Sequence, residues 1–383
     1  MIAVLSPGQG AQTPGMLSPW LELDGVAEQL GRYSELAQLD LIRLGTTAGA
    51  DEIVDTAVTQ PLIVAAGLIT ARQLELAALP PYRIVSAGHS IGEVTASVVA
   101  GVLGDEDAMT FAARRGREMA AACEATPTTM AAALGGDEAT VIAAIVSAGC
   151  VPANRNGAGQ IVAAGASDQI KALVDNPPAG VRFRPLPVAG AFHTEFMAPA
   201  EKQLKAVAQS MTAADPRQLL LSNADGTTMT AGRTVLSRLV AQVTRPVRWD
   251  LCLATMRAIG VQATIELSPA KTLTGIAKRE LPGIELIAIK SPDDLAAARA
   301  LLAGSAPSSL SAEIEVTASA QGIFTRSQGL AEGSTVLAGA RIGTVRTNVD
   351  DVAVVAPATG TLSAWLRHDG DVLGAGLPVA RLA

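Results

Sequence analysis

The stretch Ala87-Gly88-His89-Ser90-Ile91-Gly92-Glu93 decides the architecture. It follows the apolar run Arg83-Ile84-Val85-Ser86 and opens a second one, Val94 to Val102. Such a passage reads as a strand, a turn tight enough to need glycine on both flanks of Ser90, and then a helix. In that G-x-S-x-G geometry the serine Oγ stands at the tip of the turn. The first amides of the helix point at whatever the oxygen attacks. The bare pattern is weak in a glycine-rich chain. The strand before it and the helix after it favour a nucleophile over an ordinary glycine turn.

The chain has 383 residues, enough for one large domain and a smaller one. Apolar residues make up 49% and charged residues 17%, which fits a soluble globular protein. A net charge of −7 with no basic run argues against nucleic acid as a partner. Cys123, Cys150 and Cys252 are odd in number and widely spaced, so neither a disulfide framework nor a metal site is expected. They fit a reducing, cytoplasmic setting. Met1 to Pro7 lacks the basic and long apolar regions of a signal peptide, and no apolar run reaches the length of a membrane span.

Ile2 to Leu5 reads as a buried strand running into Pro7-Gly8-Gln9-Gly10-Ala11-Gln12. That turn either lets backbone and an amide approach a ligand or is a plain loop. Thr59-Gln60-Pro61 is expected to start a helix through Leu79, with proline in its first turn. A helix from about Glu106 to Cys123 carries Arg114, Arg115 and Arg117.

Between about 127 and 187 a β-α-β-β-α-β order emerges, the ferredoxin-like pattern, inserted into the larger α/β body. Asn154 to Gln160 is its expected central turn. The body resumes at Gly190-Ala191-Phe192-His193, passes a strand at Gln218 to Ser222 that ends in Asn223, and continues to about Leu302. Gly304-Ser305-Ala306-Pro307-Ser308-Ser309 is linker chemistry.

Beyond the linker, Gly322-Ile323-Phe324, Glu332-Gly333, Val336 and Gly339 return as Gly360-Thr361-Leu362, Asp369-Gly370, Val372 and Gly376. This internal repeat predicts a small two-fold, all-β unit.

A serine hydroxyl needs a base in hydrogen-bond reach. Of the three histidines, His89 adjoins Ser90 around a sharp turn and His368 sits in the appended β unit. His193 falls at a strand-to-helix junction of the body, where active-site groups of α/β folds gather, and it is the preferred base. A core histidine is the competing reading. An α/β-hydrolase order of Ser…Asp/Glu…His is disfavoured, because about 110 residues of the same domain follow His193. Arg115 either faces an acyl pocket, where it would pair with a substrate carboxylate, or lies on a solvated helix face.

Taken together and in order, these motifs closely resemble the malonyl-CoA:acyl carrier protein transacylases of fatty-acid synthesis. The resemblance covers residues 1 to about 303. It rests on Pro7 to Gln12, Thr59-Gln60-Pro61, Gly88 to Glu93, Arg115-Gly116, Asn156 to Gln160, Ala191-Phe192-His193, Asn223 and Gln242. It implies an acyltransferase body with a parallel sheet and nucleophile elbow. Ser90 would be acylated, with His193 as base. Gln9 and the Ile91 amide would form the oxyanion hole, and Arg115 would hold the malonyl carboxylate. Asn223 and Gln242 fall where the family uses a main-chain or amide oxygen, rather than an acid, to orient the histidine. Phe192 would narrow the pocket against an α-methyl, with Gln60, Asn156, Asn223 and Gln242 also at the substrate site. Malonyl-CoA and acyl carrier protein are the implied partners, with no cofactor or metal. Enzymes that serve a polyketide synthase or malonate decarboxylase share the same residues. Ala11 departs from the serine common in the first motif.

The segment from 311 to 383 resembles the hammerhead-like biotinyl/lipoyl carrier fold, notably at Ala356-Pro357-Ala358-Thr359-Gly360-Thr361-Leu362. Those carriers modify a hairpin lysine. Here the hairpin is Arg346-Thr347-Asn348-Val349-Asp350-Asp351 and no lysine follows Lys290, so a docking or oligomerisation role is expected instead.

Overall fold

A computed structural model describes residues 1–304, 314–347 and 350–382. The chain divides into two compact units, Met1–Ser305 and Ala306–Ala383. The expected linker therefore lies almost wholly outside the described residues. Its first residue, Gly304, ends the helix Leu295–Gly304.

The strands of the first unit are, in chain order, β1 (Ile2–Ser6), β2 (Ile84–Gly88), β3 (Thr128–Leu134), β4 (Val151–Gly157), β5 (Gln160–Ala166), β6 (Arg182–Pro185), β7 (Leu219–Leu221), β8 (Thr228–Met229), β9 (Val247–Arg248), β10 (Ala263–Glu266) and β11 (Glu285–Ala288). The central sheet runs β11-β10-β1-β2-β7-β8. Its first five strands are parallel, and only β8 turns back against β7. Both β1 and β2 are buried along their whole length, as continuous apolar strands covered by helices on both faces must be.

The helix after Asp55 begins earlier than the Thr59-Gln60-Pro61 signal suggests. It spans Thr56–Gln73, with the Asp55 carboxylate accepting from Ala57 N at 2.8 Å, and a short 3₁₀ turn, Leu76–Ala78, follows separately. Pro61 therefore sits inside it rather than in its first turn. The side-chain cap outweighs the proline signal, because the first N–H groups need a partner wherever the helix starts. Nearly every side chain from Thr59 to Ala71 is buried, which is why this helix shows no polar face.

The insertion forms its own sheet in the order β6-β3-β5-β4, joined on its outer side by β9, which runs parallel to β4. Helices Glu138–Ser147 and Ser167–Asp175 supply Val141, Ile145, Ile170 and Leu173 to a separate core against that sheet. The expected turn at 154–160 is mostly strand. Asn154 to Gly157 belong to β4, and only Ala158 and Gly159 turn, both at positive φ.

The second unit is all antiparallel. Its strands are β12 (Ile314–Thr317), β13 (Gly322–Arg326), β14 (Thr335–Val336), β15 (Arg341–Arg346), β16 (Asp351–Val355), β17 (Gly360–Trp365), β18 (Val372–Leu373) and β19 (Pro378–Leu382). They form two four-stranded sheets, β12-β19-β17-β14 and β16-β15-β13-β18. The repeat appears as matched hydrogen bonds. Gly370 N donates to Phe324 O at 2.9 Å as Gly333 N does to Leu362 O at 2.8 Å. One repeat partner needs correcting. Val336 pairs with Gly360, and its counterpart opposite Gly322 is Leu373, not Val372. Burial decides this: Val336 and Leu373 are 3% and 2% exposed, whereas Val372 is 76% exposed. At the hairpin between β15 and β16, Asn348 and Val349 lie outside the described residues.

Candidate active site

Ser90, Gln9 and Asn223 all follow the carboxyl ends of adjacent central strands, where the crevice of a parallel α/β sheet opens. Ser90 sits at φ 52°, a conformation that costs a non-glycine residue energy and that the surroundings must enforce. The flanking glycines show how. A Cβ on Gly88 would lie 2.0 Å from Gly92 C, and a Cβ on Gly92 would lie 2.1 Å from Ser6 O. The turn is pressed so closely against its own helix and the end of β1 that no side chain fits at either position.

Ser90 Oγ lies 2.8 Å from His193 Nε2. His193 is also left-handed, at φ 63°, and only 3% exposed. Its Nδ1 lies 2.8 Å from the main-chain oxygen of Gln242. A carbonyl can only accept, so Nδ1 carries the proton and Nε2 is the free base facing the serine. Burial, then the positive charge of Arg115, push the His193 pKa down to about 3, so the imidazole is neutral at physiological pH.

The carbonyl on His193 belongs to the 3₁₀ turn Gln242–Thr244 that ends the helix Gly232–Ala241, a place where carbonyls lack i+4 partners. Asn223 does not reach His193. Its Oδ1 accepts from Ser90 N at 2.8 Å and its Nδ2 donates to Gly88 O at 2.7 Å, which pins the elbow instead. The Gln242 side chain likewise spends both ends inside the protein. Nε2 donates to Ser90 O at 3.0 Å and to a carboxylate oxygen of Glu93, while Oε1 accepts from Arg115 at 2.7 Å.

Arg115, on the helix Asp105–Ala125, is 1% exposed. Its guanidinium donates to Gln60 Oε1 and Gln242 Oε1, both at 2.7 Å, and to Ser90 Oγ at 3.3 Å. All three direct partners are neutral. Burial pulls its pKa down to about 9, which leaves it charged at neutral pH. Neighbouring Arg114 pairs with Glu118 at 2.8 Å, and Arg117 donates to Ala37 O at 3.0 Å. Among the three arginines, only Arg115 turns to the site.

A cleft of ≈ 190 Å³ opens in front of Ser90, between the body and the inserted sheet. Gln9, Gln60, Ile91, Asn156, Phe192 and His193 line it, with Met119, Met130, Val162 and Leu273 as apolar wall. Arg115, Asn223 and Gln242 stand behind that lining. Neither Gln9 N–H nor Ile91 N–H has an acceptor among the described residues, and both residues border Ser90 across the cleft. The Gln9 side chain donates to Thr56 Oγ1 at 3.2 Å. Asn156 Oδ1 is 2.8 Å from His89 Nε2, whose ring packs edge-on at 5.7 Å against Trp249. His89 thus points away from the nucleophile, and burial lowers its pKa.

Sequence reasoning assigned nothing to Glu93, although it closes the elbow motif. It is 6% exposed, and its other oxygen accepts from Asn223 N at 2.5 Å. The one available signal was an acid in a helix that is otherwise Gly, Val, Thr, Ala and Ser. Among the described residues no cluster could hold a metal ion, and no helix is long and apolar enough to cross a membrane.

A serine at an elbow, a neutral histidine on its oxygen and unpaired amides beside it define an acyl-transfer site. Residues 4–295 match the family model described as the acyl transferase domain. The malonyl CoA-acyl carrier protein transacylase of Mycobacterium tuberculosis H37Rv is 54% identical over 296 residues, covering 77% of this chain and 98% of that protein. That of Escherichia coli K12 is 33% identical over 305 residues, with the same two coverages of 77% and 98%. The crystal structure of MCAT from M. tuberculosis superposes with a TM-score of 0.74 at 54% identity, over 77% of this chain and 98% of that one. The chain belongs to the malonyl CoA-acyl carrier protein transacylase family. The β unit after residue 305 lies beyond the matched region.

Proposed function

We propose that this enzyme moves the malonyl group from malonyl-CoA to the phosphopantetheine thiol of an acyl carrier protein, in cytoplasmic fatty-acid synthesis. The observation that carries the reading is Arg115, a buried cation 3.3 Å from the nucleophile with only amides and a hydroxyl as direct partners. Burying such a group is costly; Glu93, beyond the Gln242 amide, offsets part of the charge, and a ligand anion would complete it. A planar guanidinium takes a carboxylate in two parallel bonds, and a malonyl group on Ser90 carries its free carboxylate toward that edge.

Ser90 Oγ attacks the thioester carbon as Nε2 of His193 takes the hydroxyl proton. The oxyanion that forms accepts from the amides of Gln9 and Ile91. As the intermediate collapses, the C–S bond breaks and the histidine proton leaves with the CoA thiolate. The carrier's thiol then repeats the sequence on the malonyl-serine, giving ping-pong kinetics. Phe192, against the cleft wall, opposes a branched acyl group. Every step draws on side chains and amides of this chain, and none calls for a cofactor.

For the C-terminal unit we propose a biotinyl/lipoyl-carrier-like fold that has lost its swinging arm, since no lysine follows Lys290. Its matched half-repeats support that reading, and a docking or oligomerisation role follows from it. Covalently bound biotin or lipoate on residues 311–383 would contradict it.

The test of the enzymatic reading is transfer of label from malonyl-, acetyl- and methylmalonyl-CoA to a holo acyl carrier protein. Malonyl transfer that Ser90→Ala abolishes is expected. A chain that charges the carrier equally from all three donors would overturn the reading.

A further inference from the structure

We infer that Glu93 is a positioning residue for malonyl selectivity: through the Gln242 amide, its buried carboxylate holds the Arg115 guanidinium where the substrate carboxylate must land. This rests on the reading of Arg115 given above. Both Glu93 oxygens accept hydrogen bonds, one from Asn223 N at 2.5 Å and the other from Gln242 Nε2. Burial raises the pKa of this carboxyl to about 7, and only its ionised form accepts at both ends. With Nε2 committed to Glu93 and to Ser90 O, the amide must turn Oε1 toward Arg115, and there it accepts at 2.7 Å. The reverse orientation would face –NH₂ to guanidinium and oxygen to carboxylate, two repulsive contacts. One carboxylate thus sets the polarity of an amide 149 residues away in sequence, and that amide fixes the anion-binding arginine.

The same residue also supports the elbow through Asn223, whose side chain holds Ser90 N. A purely structural role would weaken transfer of every acyl group alike. A role through Gln242 and Arg115 weakens the donor with a free carboxylate most. His193 keeps its orientation either way, because it uses the main-chain oxygen of Gln242.

The experiment compares kcat/KM for malonyl-CoA and acetyl-CoA, with holo acyl carrier protein, in wild type and Glu93→Gln. A glutamine amide cannot accept at both ends, so Gln242 is released to turn. We expect malonyl transfer to fall by about tenfold or more beyond any fall in acetyl transfer, the scale of one hydrogen bond to a charged group. In an Arg115→Ala background the substitution should no longer distinguish the two donors. Equal losses for both donors, or none for either, would overturn the inference and leave the malonyl reading standing. A wild type that takes no malonyl group would overturn both. If Glu93→Gln does not fold, Gln242→Leu asks the same question: a selective malonyl loss supports the inference, and an equal loss rejects it.

Discussion

His193 and Gln242 meet through Nδ1 and a main-chain oxygen at 2.8 Å, so the group that orients the base carries no charge. A carboxylate in that place would stabilise the imidazolium and raise its pKa. A carbonyl dipole does so far less, and burial together with Arg115 then leaves the pKa at about 3.

The pH profile follows from the sign of that shift. A lowered pKa means the base is deprotonated above the shifted value, so acidification through the ordinary histidine range should not switch it off. Measured with acetyl-CoA, which has no carboxylate for Arg115, kcat/KM for serine acylation should be flat on the acid side from about pH 5 to 8. With malonyl-CoA it should gain as pH rises through about 7 and Glu93 ionises. An acid limb near 6.5 with acetyl-CoA, the usual histidine value, would contradict the assignment.

Arg115→Ala removes the buried cation and leaves Gln60 and Gln242 without their shared donor. Malonyl transfer should fall roughly 10- to 100-fold, as expected for a lost charge-assisted hydrogen bond, and acetyl transfer should fall less or rise. Competition between the two CoA esters reads this directly. Unchanged malonyl preference would remove Arg115 from the acyl site.

The elbow makes a stability prediction that contrasts two glycines. Gly92→Ala would push a Cβ to 2.1 Å from Ser6 O, so it should cost about 3 kcal/mol or more and abolish acylation. Gly159, by contrast, has positive φ, at +68°, and open space around it, so alanine there should cost only about 1–2 kcal/mol. Denaturant titration of both variants gives the comparison.

Much of this site was legible because its chemistry is local. Ser90, its glycines, the preceding strand and the following helix are contiguous, and steric demand at a tight turn shows in the residues themselves. His193 was reachable by elimination among three histidines. The roles of Asn223 and Gln242 were not, since their bonds to Ser90 span 133 and 152 residues. Which end of an amide faces which neighbour is set by tertiary packing and leaves no trace in spacing. Pro61 misled because proline suits a first turn but does not require one. The repeat slipped by one residue at Val372, where adjacent Val372 and Leu373 are both apolar and only the pleat decides which points inward.

Phe324 is fully buried at the centre of the C-terminal core, against Trp365 at 6.2 Å between ring centroids. Phe324→Ala should cost about 3–5 kcal/mol, a large fraction of what so small a core supplies. Limited proteolysis should then cut within residues 314–382, while Ser90 is acylated at the wild-type rate, since every residue lining the cleft belongs to the first unit. Loss of acylation in that variant would give the β unit a part in catalysis.

The most direct test of the covalent account is intact-mass analysis after brief mixing with malonyl-CoA. Wild type and a truncation ending near Ala303 should each gain one malonyl group, and Ser90→Ala should gain none. An adduct that persists in Ser90→Ala, or no adduct on wild type, would contradict it.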